Sequence, residues 1–164
     1  MKDFEKFFED VPSDSLSAVI AVAMDMNASY NKLVTKDLPK ARIVYDRFHM
    51  QSQFGRDVLG AVRLDEARRH KAKEKEILAD ISDDTDKETM KSLKQEAKAE
   101  KQEYSQLKKL RWSLLTNSDK LSDSKTEQLQ SILQDHHDLA VCYAMKEEMC
   151  RLYELTDYQQ AVTR

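Results

Sequence analysis

The sequence has very little of the two residues that most often interrupt regular structure. Its 164 residues include only two glycines and two prolines. Chains use these residues to turn between short elements, so their scarcity argues against a sheet of many strands. Long uninterrupted helices are expected instead, within an α+β fold that is mostly α.

Cysteine is almost as scarce, with Cys142 and Cys150 as the two examples. Both fall in one predicted helix, where their Cα atoms would lie about 12 Å apart. Disulfide-bonded Cα atoms lie within roughly 7 Å, so these two residues cannot bridge each other. No metal-binding cysteine spacing is present. We interpret both as small buried hydrophobic residues in a reducing compartment.

The sequence also lacks a long apolar run and an excess of positive charge. The longest apolar run, around Val19–Met24, is far too short to span a bilayer, and the first ten residues are too acidic for a signal peptide. A cytoplasmic protein without membrane contact is therefore expected. The net charge of −3 argues against a chain that wraps nucleic acid over its whole surface. Any basic DNA-binding surface must be local or supplied by segments outside this sequence.

The first part of the chain predicts two strands joined by a helix. The continuous apolar run Ala18–Met24 is typical of a strand buried on both faces. Asn27 can cap a following helix that stops near Pro39, and the run Ile43–Tyr45 then returns as a second strand. A connection of this length makes the strands parallel. A short amphipathic helix with three phenylalanines, Asp3–Asp10, precedes this βαβ unit.

The rest of the chain has the periodicity of long helices. The first is predicted from Met50 to about Ala79, and the polar segment Ser82–Asp86 follows as a turn and helix cap. A second helix, Asp86–Leu115, and a third, Ser124–Leu155, are expected to pair as an antiparallel, coiled-coil-like hairpin. The apolar seam of the second helix contains Met90, Leu93, Ala97, Tyr104, Leu107 and Leu114. That of the third contains Leu129, Ile132, Leu133, His136, Leu139, Ala140, Tyr143, Cys150 and Tyr153.

Two carboxylates make the first candidate site. Asp25 and Asp46 follow the two predicted parallel strands, and ligands of open α/β sheets bind at that edge. Oxygen ligands suit Mg²⁺ or Mn²⁺, and His49 could brace a carboxylate or approach a phosphate. The alternative is structural: an aspartate after a strand often caps a helix or turns the chain, and such a histidine is often simply packed. His136 and His137, being adjacent, point about 100° apart on a helix and are interpreted as seam and surface residues.

A basic cluster makes the second candidate site. Lys108, Lys109, Arg111 and Trp112 combine positive charge with an aromatic ring that could contact a nucleic-acid backbone. The alternative is that Trp112 buries the end of the helical hairpin beneath solvated lysines.

Several stretches together resemble the central part of transposases of the ISL3 insertion-sequence family. These are VAMDMNASY, LPKARIVYDRFHM, DVLGAVRLDEARRH, LKKLRWSLLTN and LAVCYAMKEEM. The resemblance runs from about Ala18 to Ala161. It implies a DDE enzyme with an RNase H-like core, whose three acidic residues hold two divalent ions, Mg²⁺ or Mn²⁺, for DNA cleavage and strand transfer at transposon ends.

The resemblance also implies roles for individual residues. Asp25 matches the family's second catalytic acid and hence a metal ligand, while Asp46 and His49 match a supporting Asp-x-x-His signature. Residues 1–50 would form part of the RNase H-like core, and residues 51–164 the helical insertion domain that follows the second acid.

The match leaves two catalytic acids without counterparts, since the first would lie upstream and the third beyond Arg164. We therefore expect a fragment with one of three catalytic ligands, inactive alone and binding no metal tightly. The alternative is a non-enzymatic helical module that forms a homodimer or binds a partner, with an unpaired sheet edge as a second contact surface. A phosphohydrolase is disfavoured because Asn27 stands where that nucleophile pattern expects a second aspartate.

Overall fold

The computed structural model describes residues 2–82, 85–155, 159 and 163. The fold is mostly helical with one small parallel sheet, which confirms the predicted class. Contacts divide the chain into two compact units, residues 1–53 and 54–164. Among the described residues, no helix is both long and apolar enough to cross a bilayer.

The first unit is built around two short parallel strands. In chain order its elements are α1 (Lys2–Asp10), α2 (Ser13–Ser17), β1 (Ala21–Met24), α3 (Ala28–Asp37), β2 (Arg42–Tyr45) and α4 (Arg47–Phe54), whose last residue falls in the second unit. Ala21 pairs with Arg42 and Met24 with Tyr45, in parallel register. The predicted strand, helix, strand order and the parallel pairing are confirmed.

Local chemistry explains where α3 begins and what it packs against. Asn27 caps the helix, because its Oδ1 accepts hydrogen bonds from the backbone N–H groups of Ser29, at 2.9 Å, and Tyr30, at 3.3 Å. The ring of Phe4 on α1 lies 5.1 Å from the ring of Tyr30, so the aromatic face of α1 covers part of α3.

The predicted burial of the first strand on both faces is wrong. The segment Ala18–Met24 is strand only from Ala21, and Ile20 is 83% exposed. Along β1, exposed residues alternate with half-buried ones, which is the pattern of a strand covered on one face. An unbroken apolar run does not reveal how many faces of a strand have neighbours.

The second unit contains all the remaining helices of the described chain. It begins with a π-helical turn, Gly55–Leu59, and continues as α5 (Gly60–Ala79), α6 (Lys87–Lys109), α7 (Arg111–Leu115), a 3₁₀ turn (Ser118–Lys120), α8 (Asp123–Asp135) and α9 (His137–Leu152). One buried cluster unites these helices and forms the core of the unit. Its members are Leu59, Ala67, Leu107, Leu110, Leu114, Leu129, Ile132 and Leu139.

The main partner of α6 differs from the expected one. The sequence predicted an antiparallel hairpin between α6 and the third helix, but α6 packs chiefly along α5. Arg63 contacts Leu107, and His70 contacts Glu100, so α5 and α6 run antiparallel. The error arose because the seams of all three helices are apolar, and periodicity alone does not identify which seams face each other.

The start of α6 agrees with the sequence. Asp86 caps the helix by accepting hydrogen bonds at 3.0 Å from the backbone N–H groups of Glu88 and Thr89. Residues 83–84 of the predicted turn lie outside the described residues. The predicted seam of α6 faces inward: Ala97, Leu107 and Leu114 are buried, and its other members are half-buried.

The predicted third helix is interrupted. His136, with φ −123° and ψ 80°, ends α8 and precedes α9. Most of the predicted seam is buried or half-buried, but Tyr153 is 38% exposed. Cys142 is half-buried and Cys150 buried, and neither forms a disulfide bond, in agreement with the sequence.

Candidate active site

The sheet brings the two predicted strand-end carboxylates to one edge. Asp25 directly follows β1 and Asp46 directly follows β2, and the strands are parallel. The backbone N–H of Asp46 donates a hydrogen bond to the carbonyl oxygen of Met24 at 2.9 Å, which ties the ends of the strands together. The arrangement expected from the sequence is therefore present.

His49, in the first turn of α4, lies between the two carboxylates. Its Nδ1 is 2.9 Å from Oδ2 of Asp46, and its Nε2 is 3.9 Å from Oδ2 of Asp25. The ring thus makes a hydrogen bond with one carboxylate and faces the other. All three side chains are about half exposed, so solvent and a solution ligand can reach them.

Asp46 is fully engaged by its surroundings. Oδ1 accepts a hydrogen bond from the N–H of Phe48 at 2.9 Å, as in a helix cap, and Oδ2 faces the ring of His49. The backbone hydrogen bond from Phe48 and the side-chain hydrogen bond from His49 lower the pKa of Asp46 from its ordinary value. Each oxygen of Asp46 therefore has one hydrogen-bond partner.

Asp25 is placed differently. Oδ1 accepts a hydrogen bond from the N–H of Met26 at 2.6 Å, while Oδ2 lies on the side of His49, in a side chain that is 51% exposed. One accessible carboxylate oxygen fits a hard divalent cation as a single ligand. Within the described part of the chain, Asp25, Asp46 and His49 do not form a group of three converging metal ligands. A closed cage for two ions is not formed by these residues.

The predicted basic cluster, which we call the basic patch, lies where α6 ends and α7 begins. Lys108, Lys109, Arg111 and Trp112 are all exposed, and the Arg111 guanidinium lies 5.1 Å from the centre of the Trp112 ring. Trp112 is 71% exposed. The alternative in which this ring buries the end of a hairpin is therefore wrong.

The second unit contains another cluster, which was not predicted from the sequence. Glu66 and His70, one turn apart on α5, converge with His136. The i, i+4 spacing of Glu66 and His70 puts them on one helix face and could have signalled a site. The contribution of His136 could not be foreseen, because it depends on where the interrupted third helix packs.

Comparison with known proteins agrees with the resemblance seen in the sequence. A family model for DDE transposases of the ISL3 type, described as "Transposase", matches residues 1–164. The chain is 30% identical over 147 residues to the transposase for insertion sequence element IS1001 of Bordetella parapertussis. That match covers 90% of this chain and 30% of the length of the relative. No solved structure matches the chain significantly.

The chain belongs to the ISL3 family of DDE transposases.

Proposed function

We propose that this chain serves in DNA transposition as part of the catalytic region of a transposase that cleaves DNA and transfers strands with the help of divalent metal ions. The observation that carries the proposal is the accessible Asp25 carboxylate at the end of β1, in a chain whose whole length matches a DDE transposase family. Because the chain spans 30% of the relative's length, we assign it a part of the activity.

The family supplies the proposed roles of the site residues, and their geometry supports these roles. Asp25 is proposed as the catalytic acid and metal ligand, because it matches the family's second catalytic acid and its side chain is 51% exposed. Asp46 and His49 are proposed as positioning residues, because they match the supporting Asp-x-x-His signature and Asp46 holds His49 beside Asp25. A bound Mg²⁺ or Mn²⁺ would activate an oxygen nucleophile and stabilise charge on the phosphate.

The proposed domain organisation rests on the two units. Residues 1–50 would be the partial RNase H-like core, because they contain the parallel strands and the strand-end acid. Residues 51–164 would be the helical insertion domain, with the long α5–α6 pair as its coiled-coil-like part. A separate buried cluster within the helical unit supports this division.

We also propose that the chain alone does not cleave DNA or hold the two ions tightly. Two-metal catalysis needs several carboxylates around ions roughly 3.5–4 Å apart. Asp25 offers one accessible oxygen, and Asp46 is committed to Phe48 and His49. Nicking of plasmid DNA by the 164-residue chain with Mn²⁺, lost on Asp25→Ala, would disprove this part of the proposal.

A transposition assay tests the assigned roles. The open reading frame that encodes these residues is expressed beside a marked element, and transposition frequency is counted. Asp25→Asn should lower the frequency more than about 100-fold, since groups that only support a metal ligand are worth about 10–100-fold. Asp46→Asn and His49→Gln should each lower the transposition frequency by about 10–100-fold.

Asp14→Asn is the matched control, because Asp14 is an exposed carboxylate on α2 of the same unit. It should leave the frequency unchanged. Equal losses from Asp25→Asn and Asp14→Asn, or full activity of Asp25→Asn, would refute the role of Asp25.

The basic patch is the proposed DNA contact of the helical unit. Its two lysines and Arg111 offer positive charge for phosphates, and the exposed Trp112 offers a face for stacking.

A further inference from the structure

The helical unit contains a second cluster of ionisable side chains that has no part in the proposed DNA chemistry. It lies where α5 meets α6 and the break between α8 and α9, around a cavity of 520 Å³. Glu66, His70 and His136 each offer one ligand atom there, and these three atoms lie within 4.8 Å of one another. Tetrahedral ligands at 2.0–2.1 Å from a metal ion sit roughly 3.4 Å apart. A contraction of up to about 1.4 Å between ligand atoms would therefore close the group around one ion.

His70 is held as metal-ligating histidines usually are. Its Nδ1 lies 2.6 Å from Oε2 of Glu100, and Glu100 in turn accepts a hydrogen bond from Lys73. A carboxylate that accepts a hydrogen bond from one ring nitrogen fixes the tautomer and leaves the other nitrogen available as a ligand. Glu100 is buried, so the ring is firmly oriented.

The two ring nitrogens of His136 have different surroundings. The residue is 6% exposed, and its Nδ1 faces Oε2 of Glu66, while its Nε2 is buried without a hydrogen-bond partner among the described residues. Nε2 lies nearest Glu103, another residue lining the cavity, whose Oε2 is 3.8 Å away and out of hydrogen-bonding range. Leaving a buried polar atom unpaired is costly, so the ring of His136 lacks one partner in the structure as it stands.

The charges around the cavity favour a cation. Glu66, Glu103 and Asp135 line it, together with Arg69 and Lys73. The two basic groups are already paired, Arg69 with Oε1 of Glu66 and Lys73 with Oε1 of Glu100. The other oxygen of each of these two carboxylates faces a histidine. Oε2 of Glu100 faces His70, and Oε2 of Glu66 lies 3.4 Å from Nδ1 of His136.

We propose that Glu66, His70 and His136 form a structural site for one transition-metal ion, with Zn²⁺ as the best fit, which joins α5 to the bend between α8 and α9. Two imidazoles and one carboxylate are a ligand set that zinc accepts, with Glu103 or a water as the fourth ligand. The site is independent of Asp25 and of the proposed transposition chemistry. Its chemistry differs too, since Mg²⁺ prefers a set made only of oxygens.

Metal titration of the purified 164-residue chain, freed of metal with a chelator, tests the site. Zn²⁺ is titrated by calorimetry and Co²⁺ by visible absorption, whose bands report nitrogen and oxygen ligands. We expect one ion per chain and a higher melting temperature with Zn²⁺. His70→Gln and His136→Gln should each weaken binding more than about 100-fold, and Glu100→Gln about 10–100-fold, as for a group that orients a ligand.

His137→Gln is the matched control, because it removes the histidine next to His136. His137 is exposed and outside the group of three ligands. This variant should bind Zn²⁺ as the unaltered chain does. Circular dichroism checks folding. If His136→Gln does not fold, the test relies on Glu66→Gln and His70→Gln, because both positions are only half-buried. Absence of stoichiometric binding, or unchanged affinity in folded His70→Gln, would overturn the proposal.

Discussion

At the scale of single residues, the first unit separates two aspartates that look alike in the sequence. Each follows a strand, yet Asp46 is a helix cap with both oxygens engaged, while Asp25 keeps one oxygen accessible. The sequence predicted that they would share an edge, because parallel strands end together. The sequence could not show which aspartate caps a helix and which does not, because both follow a strand in the same way.

The hydrogen bonds to Asp46 should be detectable in the titration of its carboxyl group. Hydrogen bonds from Phe48 and His49 lower its pKa, so its carboxyl resonance in NMR should titrate below the ordinary value of 3.8. His49→Ala should raise this pKa partway, because the larger contribution, from the Phe48 N–H, remains. A lowered pKa in the folded state stabilises the fold above the ordinary pKa, and this contribution is lost as pH falls through the lowered value.

Gln53→Ala, at an exposed position of α4, serves as the control and should leave the titration of Asp46 unchanged. If His49→Ala leaves the pKa of Asp46 where it was, the hydrogen bond between the two side chains does not form in solution.

At the scale of elements, buried cations stabilise two helix ends in the second unit. The last carbonyl groups of a helix lack partners within it, and that end carries partial negative charge. Arg63, on α5, donates hydrogen bonds to the carbonyls of Leu107 and Lys108 at the end of α6. Lys146, on α9, donates to the carbonyl of Thr116, just after α7. Each cation thereby fixes one helix end to another helix.

Substitution of Arg63 tests this stabilisation. Arg63→Met should lower the free energy of unfolding by about 1–3 kcal/mol, because two carbonyls lose their donors. Both hydrogen bonds come from Nη1 of Arg63, and Arg63→Lys should recover only part of the loss, because an ammonium group is more strongly hydrated than a guanidinium and costs more to bury. Urea denaturation followed by circular dichroism measures the differences.

Arg68→Met is the control for Arg63. Arg68 lies on α5, is 73% exposed and pairs with Asp65, so its loss should cost no more than about 1 kcal/mol. Equal effects of the two substitutions would show that Arg63 does not stabilise the end of α6.

The positions of the helices and strands could largely be predicted from the sequence, but which helices pack against each other could not. Periodicity located the α6 seam, and side-chain chemistry located the caps at Asn27 and Asp86. The break at His136 could not be foreseen, because no proline or glycine marks it. Pairing of α6 with α5 depends on contacts between residues far apart in sequence, such as His70 with Glu100. The same contacts bring the residues of the proposed metal site together, so this site could not be predicted from the sequence either.

At the scale of the whole molecule, charge is nearly balanced, so any affinity for DNA must come from a local surface. The net charge is −3, yet the basic patch gathers three cations and an exposed tryptophan at the end of α6. Positive charge of this kind makes binding sensitive to salt, since each neutralised phosphate releases counterions.

DNA binding by the 164-residue chain tests the patch. With a fluorescent duplex and a salt series, the double variant Lys108→Ala/Lys109→Ala should weaken binding and reduce the slope of log affinity against log salt by about 2, or about 0.9 for each lost phosphate contact. Trp112→Ala should weaken binding with a smaller change of slope, because stacking releases no ions.

Lys98→Ala/Lys101→Ala, at two exposed positions earlier on α6, is the matched control. It removes the same charge from the same helix and should bind more tightly than the patch variant. Identical slopes for the two double variants would mean that DNA responds only to total charge, and the patch would then have no special role.

The buried cluster of the helical unit limits how far this segment can be shortened. Its members begin at Leu59 and end at Leu139, so the core is complete only when α5, α6, α7, α8 and α9 are all present. Leu107 and Leu114 are at most 2% exposed in the intact fold. A deletion of both α8 and α9 would remove Leu129, Ile132 and Leu139 from the cluster, and the apolar residues that remain would lose buried neighbours and become more exposed to water.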